Sequence, residues 1–257
     1  MKWSEMPAGT KNAAEQRFWV ALGDDADKVA TRINTDSGFV ARLSAFAVDP
    51  GFMDKSTTSL NEQWLRARNI MGKNFFGIEE AIKFFGVKPS KKDLVHLAEI
   101  PWSEEVLTSC KNTHVLVAVF QLSILDIRGK VDKSIFYSHK DAWYNNQKFA
   151  KDKGVVGWKL VRKEPIANST NKTWNDQQAL LSKDEETPKA QVMVYTIVGH
   201  FLATGERLFE NVYVRCSDID SDGLRVRVGD FASRGLRVRF CSDDDRDGHL
   251  GLSSARK

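Results

Sequence analysis

Residues 223–240, GLRVRVGDFASRGLRVRF, contain one short unit twice, since GLRVRV at 223–228 recurs as GLRVRF at 235–240. Apolar residues alternate with arginine in each copy, and a strand places successive side chains on opposite faces. The repeat therefore predicts two short strands separated by Gly-Asp and Arg-Gly turn signals. One face would be apolar, formed by Leu224, Val226, Val228, Leu236 and Val238. The other, here called the arginine face, would contain Arg225, Arg227, Arg237 and Arg239.

Four arginines on neighbouring strands repel one another, whereas stability alone favours opposite charges across strands. Alternating charge usually marks a merely solvated sheet face, so composition must distinguish the two interpretations. The chain has 22 lysines, none of them at 190–256, whereas nine of its 16 arginines lie there. Residues 216–250 also lack Glu, Gln, Met and Trp. The different chemistry of lysine and arginine does not account for so sharp a separation.

Five of the residue types absent from 216–250, namely Lys, Glu, Gln, Met and Trp, share a genetic property. All their codons end in a purine, so none is reached by changing the first two bases of an asparagine codon that ends in C. In this composition and in the ending DDDRDGHLGLSSARK, residues 205–257 resemble the variable proteins of diversity-generating retroelements, in particular those of nanoarchaea and related uncultivated lineages. In that family, template adenines are replaced at random, and AAC codons are preferred targets. Residues 216–250 depart from the family pattern in containing no asparagine.

The resemblance implies a C-type-lectin-like domain, in which two helices and small antiparallel sheets display varied side chains on one surface. The expected function is recognition of an unknown protein or cell-surface ligand, without catalysis, cofactor or metal. The implied variable positions, within a region at about 216–250, are Arg225, Arg227, Asp230, Arg237, Arg239, Phe240, Cys241, Ser242, Asp245, Asp247, Gly248 and His249. Ser233 and Arg234 are further candidates. The implied scaffold positions between them are Gly223, Leu224, Val226, Val228, Phe231, Gly235, Leu236, Val238, Leu250 and Gly251.

The rest of the chain predicts an α+β protein. Residues 1–90 form a predicted N-terminal helical region, with apolar residues at helical spacing in AAEQRFWVAL, DADKVATRI, FVARLSAFAV and GIEEAIKFFGV. Residues 91–257 form the predicted lectin-like domain. Its other predicted elements are a long buried strand at 113–127, a strand at 155–166 that a proline ends, helices at 174–182 and 188–205, and a strand at 211–215.

Two alternatives come from other residues of the same region. DIDSDG at 218–223 and DDDRDG at 243–248 match the opening of a calcium loop. Gly229 and Ser254 stand where an EF-hand needs a bidentate glutamate, which leaves a calcium-dependent carbohydrate-binding lectin as the alternative function. The formylglycine-generating enzymes share a related fold, but their chemistry requires two cooperating cysteines. Only Cys216 and Cys241 are candidates, and Cys241 is an implied variable position with an exposed thiol.

Other classes of function receive less support. Eight aspartates between Asp218 and Asp247 outnumber six arginines, which disfavours a surface that follows nucleic-acid phosphates. The longest apolar runs are too short for a membrane span. Three widely spaced cysteines predict neither disulfides nor zinc, and His114 and His200 lie in apolar runs typical of core histidines. The sequence has no ordinary signal peptide, leaves surface display or secretion open, and favours a monomer.

Overall fold

The computed structural model describes residues 62–137 and 140–257, together with the helical residues Asp27, Ala30 and Thr31. The chain divides after Ser59, and the second unit is Leu60–Lys257. That unit therefore includes residues 60–90, which the sequence assigns to the helical region. The predicted helices AAEQRFWVAL and FVARLSAFAV lie outside the described residues. The three described positions of DADKVATRI are helical, as predicted.

The second unit contains both helices and strands, so the α+β class is confirmed. Its helices are α1 (62–71), α2 (Ile78–Phe85), α3 (Lys91–His96), α4 (Glu104–Cys110), α5 (Ile124–Lys130), α6 (Lys148–Lys151), α7 (Trp174–Gln178) and α8 (Ala190–Thr204). Its strands are β1 (Phe75–Phe76), β2 (His114–Val119), β3 (Gly157–Arg162), β4 (Glu185–Glu186), β5 (Tyr213–Ile219), β6 (Arg225–Gly229), β7 (Arg237–Cys241), β8 (Leu250–Leu252) and β9 (Ala255–Arg256). Short 3-10 turns occur at Gly72–Asn74, Lys133–Ile135 and Trp143–Asn146.

The strands form two small, mostly antiparallel sheets. The first sheet has five strands in the order β1-β2-β3-β9-β4, and β1 pairs with β2 in parallel. The second has four strands in the order β7-β6-β5-β8. Strand β8, although separated from β5 along the chain by β6 and β7, pairs with β5 in parallel. The predicted strands at 211–215, 224–228 and 236–240 are confirmed as β5, β6 and β7, with boundaries shifted by a few residues.

Helix α8 forms the centre of the core, because it contacts β1 and β2 of the first sheet and β5 and β6 of the second. Every residue from Ala190 to His200 is buried, as expected for a helix that is apolar on all sides. The Tyr195 ring lies 4.7 Å from the Phe85 ring, centroid to centroid. The helix ends at Gly205, whose φ of 77° is the left-handed conformation that glycine adopts readily.

The predicted long strand at 113–127 is wrong in its second half. Strand β2 ends at Val119, and helix α5 begins at Ile124. Ser123 caps this helix: its hydroxyl accepts a hydrogen bond from the Asp126 amide at 3.0 Å, and the Asp126 carboxylate accepts one from the Ser123 amide at 2.9 Å. This capping box satisfies amides at the helix start, and it outweighs the β-propensity of the neighbouring isoleucines.

Most remaining element predictions are confirmed. Strand β3 lies within 155–166 and ends before Pro165, helix α7 lies within 174–182, and α8 lies within 188–205. His114 and His200 are core residues, with 4% and 1% of their surface exposed. Among the described residues, no helix is long and apolar enough to cross a membrane.

Candidate ligand-recognition surface

The second sheet separates apolar and arginine side chains as the sequence predicts. Val226 and Val228 are fully buried, and Val238 is 4% exposed. Strands β5 and β6 pack against α8, which gives these valines their core environment. Because side chains alternate along a strand, the arginines lie on the opposite side of the same sheet.

Register brings three arginines into one row across this sheet. Arg227 of β6 is the direct partner of Arg239 on β7 and of Arg215 on β5. Directly opposed residues in an antiparallel pair have Cβ atoms about 4.5–5.5 Å apart, and like charges at that spacing are destabilising. The row is therefore a concentration of positive charge at the middle of the face.

Arg215, which the sequence analysis did not single out, is the buried member of this row. It has no exposed surface, and its guanidinium donates to four oxygens. These are the carbonyls of Lys172, Ser242 and Asp245 and the side-chain oxygen of Gln177, at 3.0, 3.1, 2.7 and 2.9 Å. Arg215 thus ties the loop after β7 and the start of α7 to the sheet.

Arg225 is held by a carboxylate and a ring. Its Nε and Nη2 donate to the two carboxylate oxygens of Asp243, both at 2.9 Å, and Nη1 donates to the Ser217 carbonyl. These bonds lower the pKa of the Asp243 carboxyl. The guanidinium also lies 3.8 Å from the centroid of Trp174. All three nitrogens are occupied, so Arg225 shapes the edge of the face.

Arg237 likewise has a carboxylate partner within the chain. Its Nη1 donates to Asp230 Oδ2, which also accepts a hydrogen bond from the Tyr213 hydroxyl at 3.2 Å. Asp230 follows Gly229, the register partner of both Arg237 and Tyr213. Gly229 allows this turn because it has no side chain: a Cβ there would lie 2.2 Å from the Val212 carbonyl oxygen.

Arg227 and Arg239 differ from these two residues because neither has a carboxylate within 4.0 Å in the described part of the chain. Their guanidiniums lie instead over tyrosine rings: Arg227 is 4.6 Å from the Tyr213 centroid, and Arg239 is 5.6 Å from that of Tyr137. The buried Nε of Arg227 has no hydrogen-bond acceptor among the described residues. The middle of the arginine face is thus positively charged, with tyrosine rings beneath its guanidiniums and no described carboxylate paired with them.

Tyr137 is a further component of this surface that the sequence did not indicate. It is 40% exposed, and the guanidiniums of Arg234, Arg237 and Arg239 lie 5.7, 4.3 and 5.6 Å from its centroid. The chain segment reaches the sheet through hydrogen bonds between its backbone and Leu236. No local pattern at 137 could have shown this, because the contact joins segments a hundred residues apart.

The aspartates of the two calcium-like loops mostly close turns. Asp220 Oδ1 accepts hydrogen bonds from the amides of Asp222 and Leu224, and Asp245 Oδ2 accepts one from Ser242. Asp247 Oδ1 accepts one from His249. Within 62–137 and 140–257, no group of three or more His, Cys, Asp or Glu side chains is arranged to hold a metal ion.

The last implied variable residues occupy the loop that follows β7. Asp245 and His249 are exposed and Ser242 is half-buried, although the Ser242 and Asp245 carbonyls hold Arg215. The Asp247 carbonyl accepts a hydrogen bond from the Asn171 backbone amide at 3.0 Å. Gly248 is exposed and lies beside the Asn171 side chain. This loop borders the arginine face.

Two implied variable residues are not exposed on the arginine face. Phe240 pairs with Val226 in register and is 44% exposed, and its ring centroid lies 5.0 Å from that of Trp143 on the other side of the sheet. Cys241 pairs with Arg225 and is only 3% exposed. The expected exposed thiol is therefore wrong: Cys241 Sγ contacts the Arg225 carbonyl oxygen at 3.6 Å, and burial raises the pKa of the thiol.

No known protein family, curated protein or solved structure matches this chain. The surface is therefore interpreted from its own residues. Eleven of the twelve implied variable residues lie on the arginine side of the sheet or in the turns and loop that border it, although Cys241 is buried there. Phe240 lies on the apolar side.

Proposed function

We propose that this chain is a recognition protein whose arginine face and bordering loops are diversified by a retroelement on a C-type-lectin-like scaffold. The ligand would be a protein or a cell-surface molecule. It would bind through side-chain contacts on a rigid frame, without chemical conversion.

The observation that supports this proposal best is the difference in burial between most implied variable positions and most implied scaffold positions. The exceptions are the exposed Gly223 and half-buried Leu224 of the scaffold and the buried Cys241 of the variable set. Val226, Val228 and Phe231 are fully buried, and Leu236 and Leu250 are 1% exposed. Arg239, Asp247 and His249 are exposed, and Arg227 is half-buried. A diversified protein needs this division, because core substitutions cost stability whereas surface substitutions are mostly tolerated.

The frame around the surface also suits recognition. The strands pair in a continuous register from Arg225 to Gly229, and Arg215 fixes the bordering loop by hydrogen bonds to the Ser242 and Asp245 carbonyls. Backbone carbonyls do not depend on side-chain identity, so the loop can change sequence without losing this anchor. A preorganised surface binds with a smaller entropic cost than a mobile one.

A library experiment tests this function on the full chain. One displayed library varies Arg227, Arg239, Asp247 and His249, and a second varies Val226, Val228 and Val238. A third varies the exposed α3 residues Lys91, Lys92 and Val95, as a control for any randomised surface. The first library is expected to stay folded and to yield specific binders against a panel of proteins. The second should lose folded protein, and the third should stay folded but yield few binders.

The proposal fails if the first library yields no more binders than the α3 library, or if it unfolds as readily as the valine library.

A further inference from the structure

The arginine face has one part whose charge is not neutralised within the described chain. At its edges, Arg225 pairs with Asp243 and Arg237 pairs with Asp230. The middle row, Arg239, Arg227 and Arg215, has no carboxylate partner there, and the four oxygens around Arg215 are all uncharged. A carboxylate that pairs with this row would therefore have to come from outside the described residues.

We infer that the cross-strand pair Arg227 and Arg239 is a subsite for carboxylate side chains of an acidic peptide segment in a protein partner. This inference rests on the proposed recognition function and names the ligand chemistry of the same surface. A guanidinium presents a planar fork of donors that matches the two oxygens of a carboxylate. Two forks directly opposite one another suit two carboxylates that are close together along a peptide.

The tyrosines support this assignment. The guanidinium carbons of Arg227 and Arg239 lie 4.6 and 5.6 Å from the ring centroids of Tyr213 and Tyr137, within the range of cation–π attraction. This attraction uses none of the guanidinium N–H donors, and it limits the side-chain freedom that binding would otherwise remove. Tyr137 is 40% exposed, and exposed tyrosine is a frequent contact residue in protein interfaces. The pair is thus ordered before a ligand arrives.

The surroundings favour a short acidic segment over an extended polyanion. Asp230 and Asp243 lie at two edges of the row through their ion pairs with Arg237 and Arg225, and Asp244, Asp245 and Asp247 lie in the loop after β7. A nucleic acid or a sulfated polysaccharide would bring many charges against these carboxylates, at a repulsive cost. One or two carboxylates reach the central pair without meeting that cost over a long surface.

Titration of the full chain with a synthetic peptide tests the subsite. The probe is a blocked hexaglutamate peptide, with blocked hexaglutamine as the uncharged control, and binding is followed by calorimetry at low salt. Wild-type protein is expected to bind hexaglutamate but not hexaglutamine. The double variant Arg227→Gln/Arg239→Gln should lose roughly tenfold or more in affinity, since each fork makes charge-assisted hydrogen bonds.

A matched variant controls for net charge. Lys91→Gln/Lys92→Gln removes the same two charges from α3 and is expected to bind hexaglutamate as wild type does. Arg227→Lys/Arg239→Lys keeps the charge but removes the forks, and it should bind more weakly than wild type. Thermal melting of each variant verifies that it is folded.

Three results would overturn the subsite: no binding of hexaglutamate by wild type, equal losses in the arginine and lysine-to-glutamine variants, or tighter binding of inorganic sulfate than of hexaglutamate at the pair. None of them contradicts the recognition function itself, which the display libraries test separately.

Discussion

Arg215 is fully buried, and its guanidinium joins two separate segments, 172–177 and the loop after β7, to strand β5. We expect Arg215→Met to lower the free energy of unfolding by about 3 kcal/mol or more, because several buried oxygens would lose charge-assisted donors. Chemical denaturation measures the change. Arg239→Gln is the control: Arg239 is exposed and faces Arg227, so its replacement should change stability by less than about 0.5 kcal/mol. Equal effects of the two substitutions would contradict the structural role of Arg215.

Gly229 combines a φ of 140° with a close backbone contact, since an added Cβ would lie 2.2 Å from the Val212 carbonyl oxygen. We expect Gly229→Ala to destabilise the protein by more than about 2 kcal/mol, through strain and displacement of β5 from β6. Gly157→Ala in β3 is the matched control, because no atom lies within 4 Å of the corresponding Cβ position. A Gly229→Ala protein that unfolds at the wild-type denaturant concentration would refute this account of the turn.

At the scale of single residues, the sequence predicted which arginines share a face but not what surrounds them. Alternation places Arg225, Arg227, Arg237 and Arg239 together by local geometry alone. The rings beneath these guanidiniums belong to Tyr137, Trp174 and Tyr213, all of which lie outside the implied variable region at about 216–250. Arg215 could not be recognised as a buried anchor, because its acceptors are mainly backbone carbonyls, which leave no mark in a sequence.

At the scale of single elements, the histidine at the start of strand β2 should make the stability of the protein depend on pH. Burial lowers the pKa of His114, its first residue, to about 4, below the value of about 6.5 in an unfolded chain. Between these two pH values the unfolded state binds the proton and the folded state does not. The free energy of unfolding is therefore undiminished by His114 above about pH 6.5 and falls as the pH drops towards 4. The full loss is about 3 kcal/mol.

We therefore expect the unfolding free energy of His114→Gln to fall less than that of wild type between pH 7 and pH 5, measured by urea denaturation. Burial also lowers the pKa of His200, so a smaller dependence of the same sign should remain. The exposed His96 provides the control variant, His96→Gln, which should keep the wild-type slope. If His114→Gln kept the wild-type dependence of the unfolding free energy on pH, burial would not lower the pKa of this imidazole as described here.

Element prediction succeeded where periodicity was unambiguous and failed where a polar signal interrupted an apolar run. The alternation in β6 and β7 and the long apolar α8 were predicted from pattern alone. The break between β2 and α5 was missed, although the Ser-x-x-Asp signature at Ser123 marks it. The parallel pairing of β8 with β5 was also beyond local patterns, since it joins strands far apart in the chain.

At the scale of the whole molecule, α8 connects the two sheets. The helix contacts β1 and β2 of the first sheet and β5 and β6 of the second, so the core supports the proposed recognition surface from beneath. The effects on stability of substitutions on the arginine face and of core substitutions in the first sheet should therefore be nearly additive, since distant sites usually are. This separation is what repeated diversification of one surface requires.

The most direct test of the central claim is the sequence of the locus around the gene. If a retroelement diversifies this surface, we expect a neighbouring reverse transcriptase gene and a near-identical template repeat of the region that encodes about 216–250. Mismatches between the two copies should be confined to template adenines and should fall in codons such as those of Arg227 and Arg239. A locus without such a repeat, or with mismatches spread equally over the codons of Val226 and Val228, would contradict it.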